Sequence, residues 1–155
     1  MSVTITAVDW SDLAAAALRE RQVQELVERY RGDGRPGAEP TGADVKIFLL
    51  ARDRITGLPV GCGGLRPLSD GTAEIKRMYV VPERRGEGIS RELLSALEAE
   101  AAVLGWLLLR LEIGARQPEA IALYSSSGYT RIDNVGPSAG AAESICFQKR
   151  LLTVR

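Results

Sequence analysis

The sequence predicts an α/β protein built on a mixed sheet, antiparallel in its first part and parallel at its centre, with helices on both faces. Three observations predict it. Strand-like stretches over 45–52, 59–68 and 72–81 are joined by the turns "RITGLP" and "SDG", short enough for antiparallel hairpins. A helical pattern separates 72–81 from the next strand-like stretch, 107–114, and a helical crossover is what joins parallel neighbours. Further helical patterns early and late in the chain supply the layers that cover a sheet.

Each element has a local reason. The opening "SVTITAV" alternates and is rich in β-branched residues, which predicts a strand. From Asp12 to Arg31 the apolar positions Leu13, Ala17, Leu18, Leu26, Val27 and Tyr30 recur at helical spacing, with Ser11 or Asp12 as N-cap. Residues 31–43, "RGDGRPGAEPTGA", hold four glycines and two prolines and read as a mobile loop. After the three hairpin strands, Ile89, Leu93, Leu97, Ala101 and Leu104 mark one helix face, and Gly105 is its stop. Pro118 fits the first position of a short helix carrying Ile121 and Tyr124 and ending near Gly128. "SICFQKRLL", 144–152, closes the chain as a strand.

Composition narrows the function. The 155 residues fit one domain spanning 1–155. Twenty basic side chains against 20 acidic ones argue against a nucleic-acid partner, since phosphate-blanketing domains carry a basic excess. The uncharged apolar run 103–109 is too short to span a bilayer, and the opening lacks a basic start followed by an apolar stretch. A cytoplasmic protein without a membrane partner is therefore expected. Two cysteines, Cys62 and Cys146, make neither a disulfide framework nor a zinc site, and they read as free thiols. The chain has no histidine, which excludes a Ser/His/Asp triad, a Cys/His dyad and a His-ligated metal. Proton transfer is left to Glu, Asp, Tyr, Lys or Cys.

The loop "PERRGEGISRELL", 82–94, carries the strongest chemical signal. Pro82 stops a strand, Gly86 and Gly88 permit positive φ, and the helix that follows turns free N–H groups and its positive dipole end into the loop. Three readings fit these residues: a tight turn with a solvated arginine face, a dinucleotide fingerprint, or a coenzyme A diphosphate site. "GEGISR" begins as Gly-x-Gly, but Arg91 replaces the fingerprint's third glycine and the loop follows a late strand.

Other segments favour the third reading. The strings "AEIKRMYVVPERRGEGI" and "QPEAIALYSSSGY", with the element order above, resemble the GNAT superfamily of acyl-CoA dependent N-acetyltransferases over almost the whole chain. The family's loop motif is Arg or Gln, two residues, Gly, one residue, then Gly or Ala. Counted from Glu83 this chain keeps Gly86 and Gly88 but lacks the first residue; counted from Arg85 it keeps Gly88 but ends on Ser90. The resemblance implies acetyl-CoA as cosubstrate and no metal. It implies a diphosphate held across Arg84, Arg85, Gly86, Glu87, Gly88, Ile89 and Ser90, with Glu87 turned away to solvent. The pantetheine arm would lie along the backbone of Met78, Tyr79 and Val80, in a gap between 72–81 and 107–114 that a β-bulge helps to open.

The same resemblance assigns chemistry. Tyr124, in "ALYSSSGY", matches the tyrosine that protonates the departing CoA sulfur, and Glu74, in "AEI", matches a catalytic glutamate of histone-type members. A base helps because an alkyl amine with a pKa of about 10.4 is mostly protonated at neutral pH. Glu112 and a water chain are the alternatives to Glu74; Glu74 paired with Lys76, and Tyr124 packed as core, are the plainer readings. The acceptor is expected to be an amine-bearing small molecule, or else a peptide N-terminus or lysine, met by the first helix, 31–43 and 134–144. A non-catalytic acyl-CoA sensor and a nucleotide-dependent oxidoreductase stay open as other classes. Pairing through the C-terminal strands, common in similar proteins, allows a homodimer.

Overall fold

The computed structural model describes residues 2–30, 44–69, 71–134 and 144–151. The loop 31–43 and most of 134–144, both expected to meet the acceptor, lie outside the described residues. Seven strands, β1 (Val3–Ala7), β2 (Ile47–Asp53), β3 (Pro59–Ser69), β4 (Thr72–Val80), β5 (Leu108–Gly114), β6 (Thr130–Ile132) and β7 (Ser144–Arg150), form a sheet in the order β1-β2-β3-β4-β5-β7-β6. Only β4 and β5 are parallel; every other pair is antiparallel. The mixed sheet is thus the expected one, extended by an antiparallel second half in which β7 slips between β5 and β6. The three-residue β6 is too short to show a period, so its sequence carries no strand signal.

Helix α1 (Leu13–Tyr30) starts where Asp12 accepts a hydrogen bond on Oδ2 from the Ala15 N–H, an N-cap contact. Its buried residues are Ala15, Leu18 and Tyr30, whereas Leu13 and Val27, expected on the apolar face, are 85% and 54% exposed. The reason is that α1 also covers its share of the sheet with long amphipathic side chains: the Arg19 guanidinium lies 3.7 Å from the Trp10 ring centroid and 5.0 Å from that of Phe48. Helix α2 (Ile89–Val103) packs on the opposite face through Ile89, Leu93, Leu94, Leu97 and Ala101. There Gly61 and Gly63 leave room, since a Cβ on either would stand 2.9 Å from Leu93 Cδ1 or 3.0 Å from Leu97 Cδ1. Leu104, expected on that face, is 44% exposed because the helix has already ended one residue earlier. Helix α3 (Pro118–Ser126) shares the α2 side, tied to it by Arg91, which donates to the hydroxyls of Ser126 and Ser127.

What positions the site is the way β4 leaves β5. The two strands pair only from Thr72–Leu108 to Glu74–Arg110. Beyond that, β4 bulges: its register against β3 shifts between Gly64–Lys76 and Cys62–Tyr79, and Arg77 there takes a φ of +60°, unusual for a residue with a side chain. The strands diverge, leaving a gap that the resemblance to the acetyltransferases implied. No helix among the described residues is long and apolar enough to cross a membrane.

Candidate active site

The gap opens into a cavity of about 480 Å³, walled by β4 from Ile75 to Val80, β5 from Leu111 to Gly114, the loop after β4, one flank of α1 and the inner side of α3. The loop after β4 begins with a 3-10 turn, Pro82–Arg84, whose geometry consumes amides: Val81 donates to Val60, Arg84 to Val81 and Arg85 to Pro82. Then the pattern stops. Gly86 and Gly88 sit at φ of +86° and +87°, Gly88 is the N-cap of α2, and no side chain caps the helix. Among the described residues, the amides of Gly86, Glu87 and Gly88 meet no backbone acceptor, and those of Ile89 and Ser90 belong to the first helical turn, which has none to offer. These N–H groups, at a helix's positive end, meet no backbone acceptor, and Gly86, Gly88, Ile89 and Ser90 among them line the cavity, a suitable seat for a phosphate anion.

The arginines of this loop are already engaged. Arg84 donates to Asp53 at 2.8 Å and to Glu87 at 2.9 Å. Arg85 donates to the Val80 carbonyl at 3.0 Å and to Glu25 at 2.8 Å, and lies 5.6 Å from the Tyr79 ring centroid. Both line the cavity with their charge largely balanced, so the free amides, more than these cations, are what an anion finds unpaired. Glu87 does turn out of the cavity to the solvent side, where its exposed carboxylate accepts from Arg84. Asp53, which anchors Arg84, accepts from the amides of Thr56 and Ile55 as well, and these bonds with the Arg84 contact pull its pKa down to about 2.

The expected catalytic residues separate. Tyr124 lies on α3 at the cavity wall, 2% exposed, packed edge-on against Tyr129 with ring centroids 5.4 Å apart. Burial raises its pKa above the usual tyrosine value, so it stays protonated, the form an acid requires. Glu112 lines the same cavity from β5, and its Oε2 is buried without a hydrogen-bond partner. Glu74 is not part of the cavity wall. It is buried beside β3 and β5, accepting from Arg66 at 2.6 Å with Lys76 4.0 Å away.

On β4, Met78, Tyr79 and Val80 all border the gap; Tyr79 is buried beneath Arg85, and the burial raises its pKa. The Met78 carbonyl accepts from Gln22 Nε2 at 3.0 Å. Ile89 is buried under the loop and Ser90 borders the cavity. Cys62 and Cys146 are both buried, and burial pushes the Cys62 thiol up to about 12, away from any nucleophilic role. Among the described residues, no three Cys, Asp or Glu side chains gather as a metal site. Sequence reasoning missed Gln22 and Glu25, which belong to no motif, and read Arg91 only as the residue replacing a fingerprint glycine. One signal was present: Gln22 interrupts the four-residue spacing of Leu18 and Leu26 with a polar side chain on the inner face of α1.

Residues 44–131, more than half of the chain, match the family model described as an acetyltransferase (GNAT) domain. The chain belongs to the GNAT acetyltransferase family. As a GNAT protein it is 36% identical over 138 residues to the IAA acetyltransferase of Azospirillum brasilense, covering 84% of this chain and 89% of that one. A Klebsiella pneumoniae structure, solved as a candidate acyl-CoA N-acyltransferase, superposes with a TM-score of 0.82 at 32% identity, over 97% of this chain and 98% of that one. The PaiA N-acetyltransferase of Thermoplasma acidophilum, solved with coenzyme A, has a TM-score of 0.70 at 20% identity, over 97% and 99% of the two chains, and shares the fold. Membership assigns this GNAT chain to acyl transfer from an acyl-CoA.

Proposed function

We propose that this GNAT acetyltransferase moves an acetyl group from acetyl-CoA to the primary amine of a small molecule by direct attack. The observation that carries the reading is the run of free amides from Gly86 to Ser90 at the wide end of the β4–β5 gap. A diphosphate there leaves the pantetheine arm to follow the edge of β4 beyond Glu74, where β5 no longer pairs. A fold relative solved with coenzyme A and another solved with acetyl-CoA support that cosubstrate.

Glu112, the cavity-lining carboxylate with a buried oxygen left unpaired, is the base that takes a proton from the amine. The amine nitrogen bonds to the thioester carbon, the C–S bond breaks, and the phenolic proton of Tyr124 passes to the departing sulfur. Glu74, outside the wall and held by Arg66, supports the sheet. The test is a CoA-thiol release assay over a panel of alkyl, arylalkyl and amino-acid amines. Release with at least one amine, saturating with acetyl-CoA, is expected; CoA binding without release from any would mark a non-catalytic acyl-CoA sensor instead.

A further inference from the structure

A buried polar atom without a partner is costly, and the cavity wall contains two such atoms of the same kind. Gln22 Oε1, on α1, and Glu112 Oε2, on β5, are both hydrogen-bond acceptors, both buried, and neither has a donor. They come from different elements but from the same side of the sheet. Phe48 packs over Gly64 beneath Arg19 of α1, and Lys76 is the cross-strand neighbour of Gly64. Two residues along, the Arg66–Glu74–Arg110 row shares that face, and Glu112 follows Arg110 by two. Gln22 is not free to turn away, because its Nε2 is held by the Met78 carbonyl at 3.0 Å, on the strand that borders the gap.

We infer that Gln22 and Glu112 together receive the amine nitrogen, making Gln22 a substrate-binding residue that sets preference for primary amines; this rests on the transfer reading above. A neutral primary amine has two N–H donors and one lone pair. Two fixed acceptors take the two N–H groups, and the lone pair is left facing the thioester. The ammonium form first loses one proton to water, and Glu112 takes the proton that the nitrogen sheds as the amide forms. A secondary amine has one N–H fewer, so it leaves one of the two oxygens buried and unpaired and sets a methyl or larger group against it. Gln22 thus couples two jobs: it fixes the backbone of β4 with its nitrogen and orients the acceptor with its oxygen.

The experiment uses the full chain, the panel amine that releases CoA fastest, and its N-methyl derivative. The native protein is expected to prefer the primary amine by roughly tenfold or more in kcat/KM. Gln22→Leu should lower kcat/KM for the primary amine by roughly 5- to 100-fold and shrink the preference to a few-fold, with CoA affinity by calorimetry and the melting temperature showing a folded, CoA-competent protein. The inference is overturned if the native protein accepts both amines equally, or if Gln22→Leu keeps its discrimination. Absence of release from every amine would overturn the transfer reading, and this inference with it.

Discussion

Tyr124 and Glu112 border the same cavity and meet opposite demands, one as a proton donor and the other as a proton acceptor. Phenol burial keeps the donor protonated well beyond neutral pH. Replacing Tyr124 by Phe should lower turnover by roughly 10- to 1,000-fold with unchanged CoA affinity, read by steady-state kinetics and calorimetry. An unchanged rate would remove it from the mechanism. The two glutamates should behave oppositely. Glu112→Gln is expected to cost turnover by a comparable factor, roughly 100-fold, with little loss of stability. Glu74→Gln should leave turnover within about a few-fold but lower unfolding free energy by about 1–3 kcal/mol, because it weakens a charged hydrogen bond to Arg66 in a buried setting. Denaturant unfolding and initial rates on both variants decide the pair. At this scale the sequence was a partial guide. The tyrosine came with its motif, but the choice between Glu74 and Glu112 depends on where a bulge and a divergence put the two strands, which no residue spacing encodes.

The loop from Pro82 to Ser90 acts as a unit. Gly86 and Gly88 have no atom within 4 Å of a would-be Cβ, so space does not forbid a side chain; the positive φ does. Placing Val at either position costs about 1–2 kcal/mol for the left-handed conformation, too little to unfold an ordinary domain and enough to turn the loop amides. Such variants should keep a cooperative melt and lose CoA binding by calorimetry; a folded variant with normal affinity would contradict the assignment.

The loop's outer anchor titrates. Asp53 is depressed in the folded state to about 2, below its unfolded value of about 3.9, so its contribution is fully present above the unfolded value and is lost as pH falls through about 2. The stability difference between the native protein and Asp53→Asn should therefore hold near neutrality and vanish as pH is lowered from about 4 to about 2, measured by urea unfolding across that range. The loop's glycines and the helix behind it were legible because punctuation residues act locally. The ion pairs of Arg84 with Asp53 and of Arg85 with Glu25 were not, since they join residues far apart in the chain.

Across the whole molecule, one sheet is made to perform two tasks by pairing β4 and β5 at one end and parting them at the other. The element order, the antiparallel hairpins and the central parallel pair follow from turn lengths and from a helical crossover, so the sequence displays them. The antiparallel return of β7 beside β5 and the short β6 follow from tertiary pairing, which leaves no local trace. The wedge-shaped gap links all scales: bulge, cavity, free amides and the two cavity-facing proton carriers. Its central claim is that the amides from Gly86 to Ser90 hold a diphosphate. The direct test is an amide NMR titration with CoA, and in parallel with pantetheine, which has no diphosphate. Large shifts of the Gly86, Glu87, Gly88, Ile89 and Ser90 amides with CoA but not with pantetheine are predicted. Saturating CoA that leaves those five resonances in place would contradict the account.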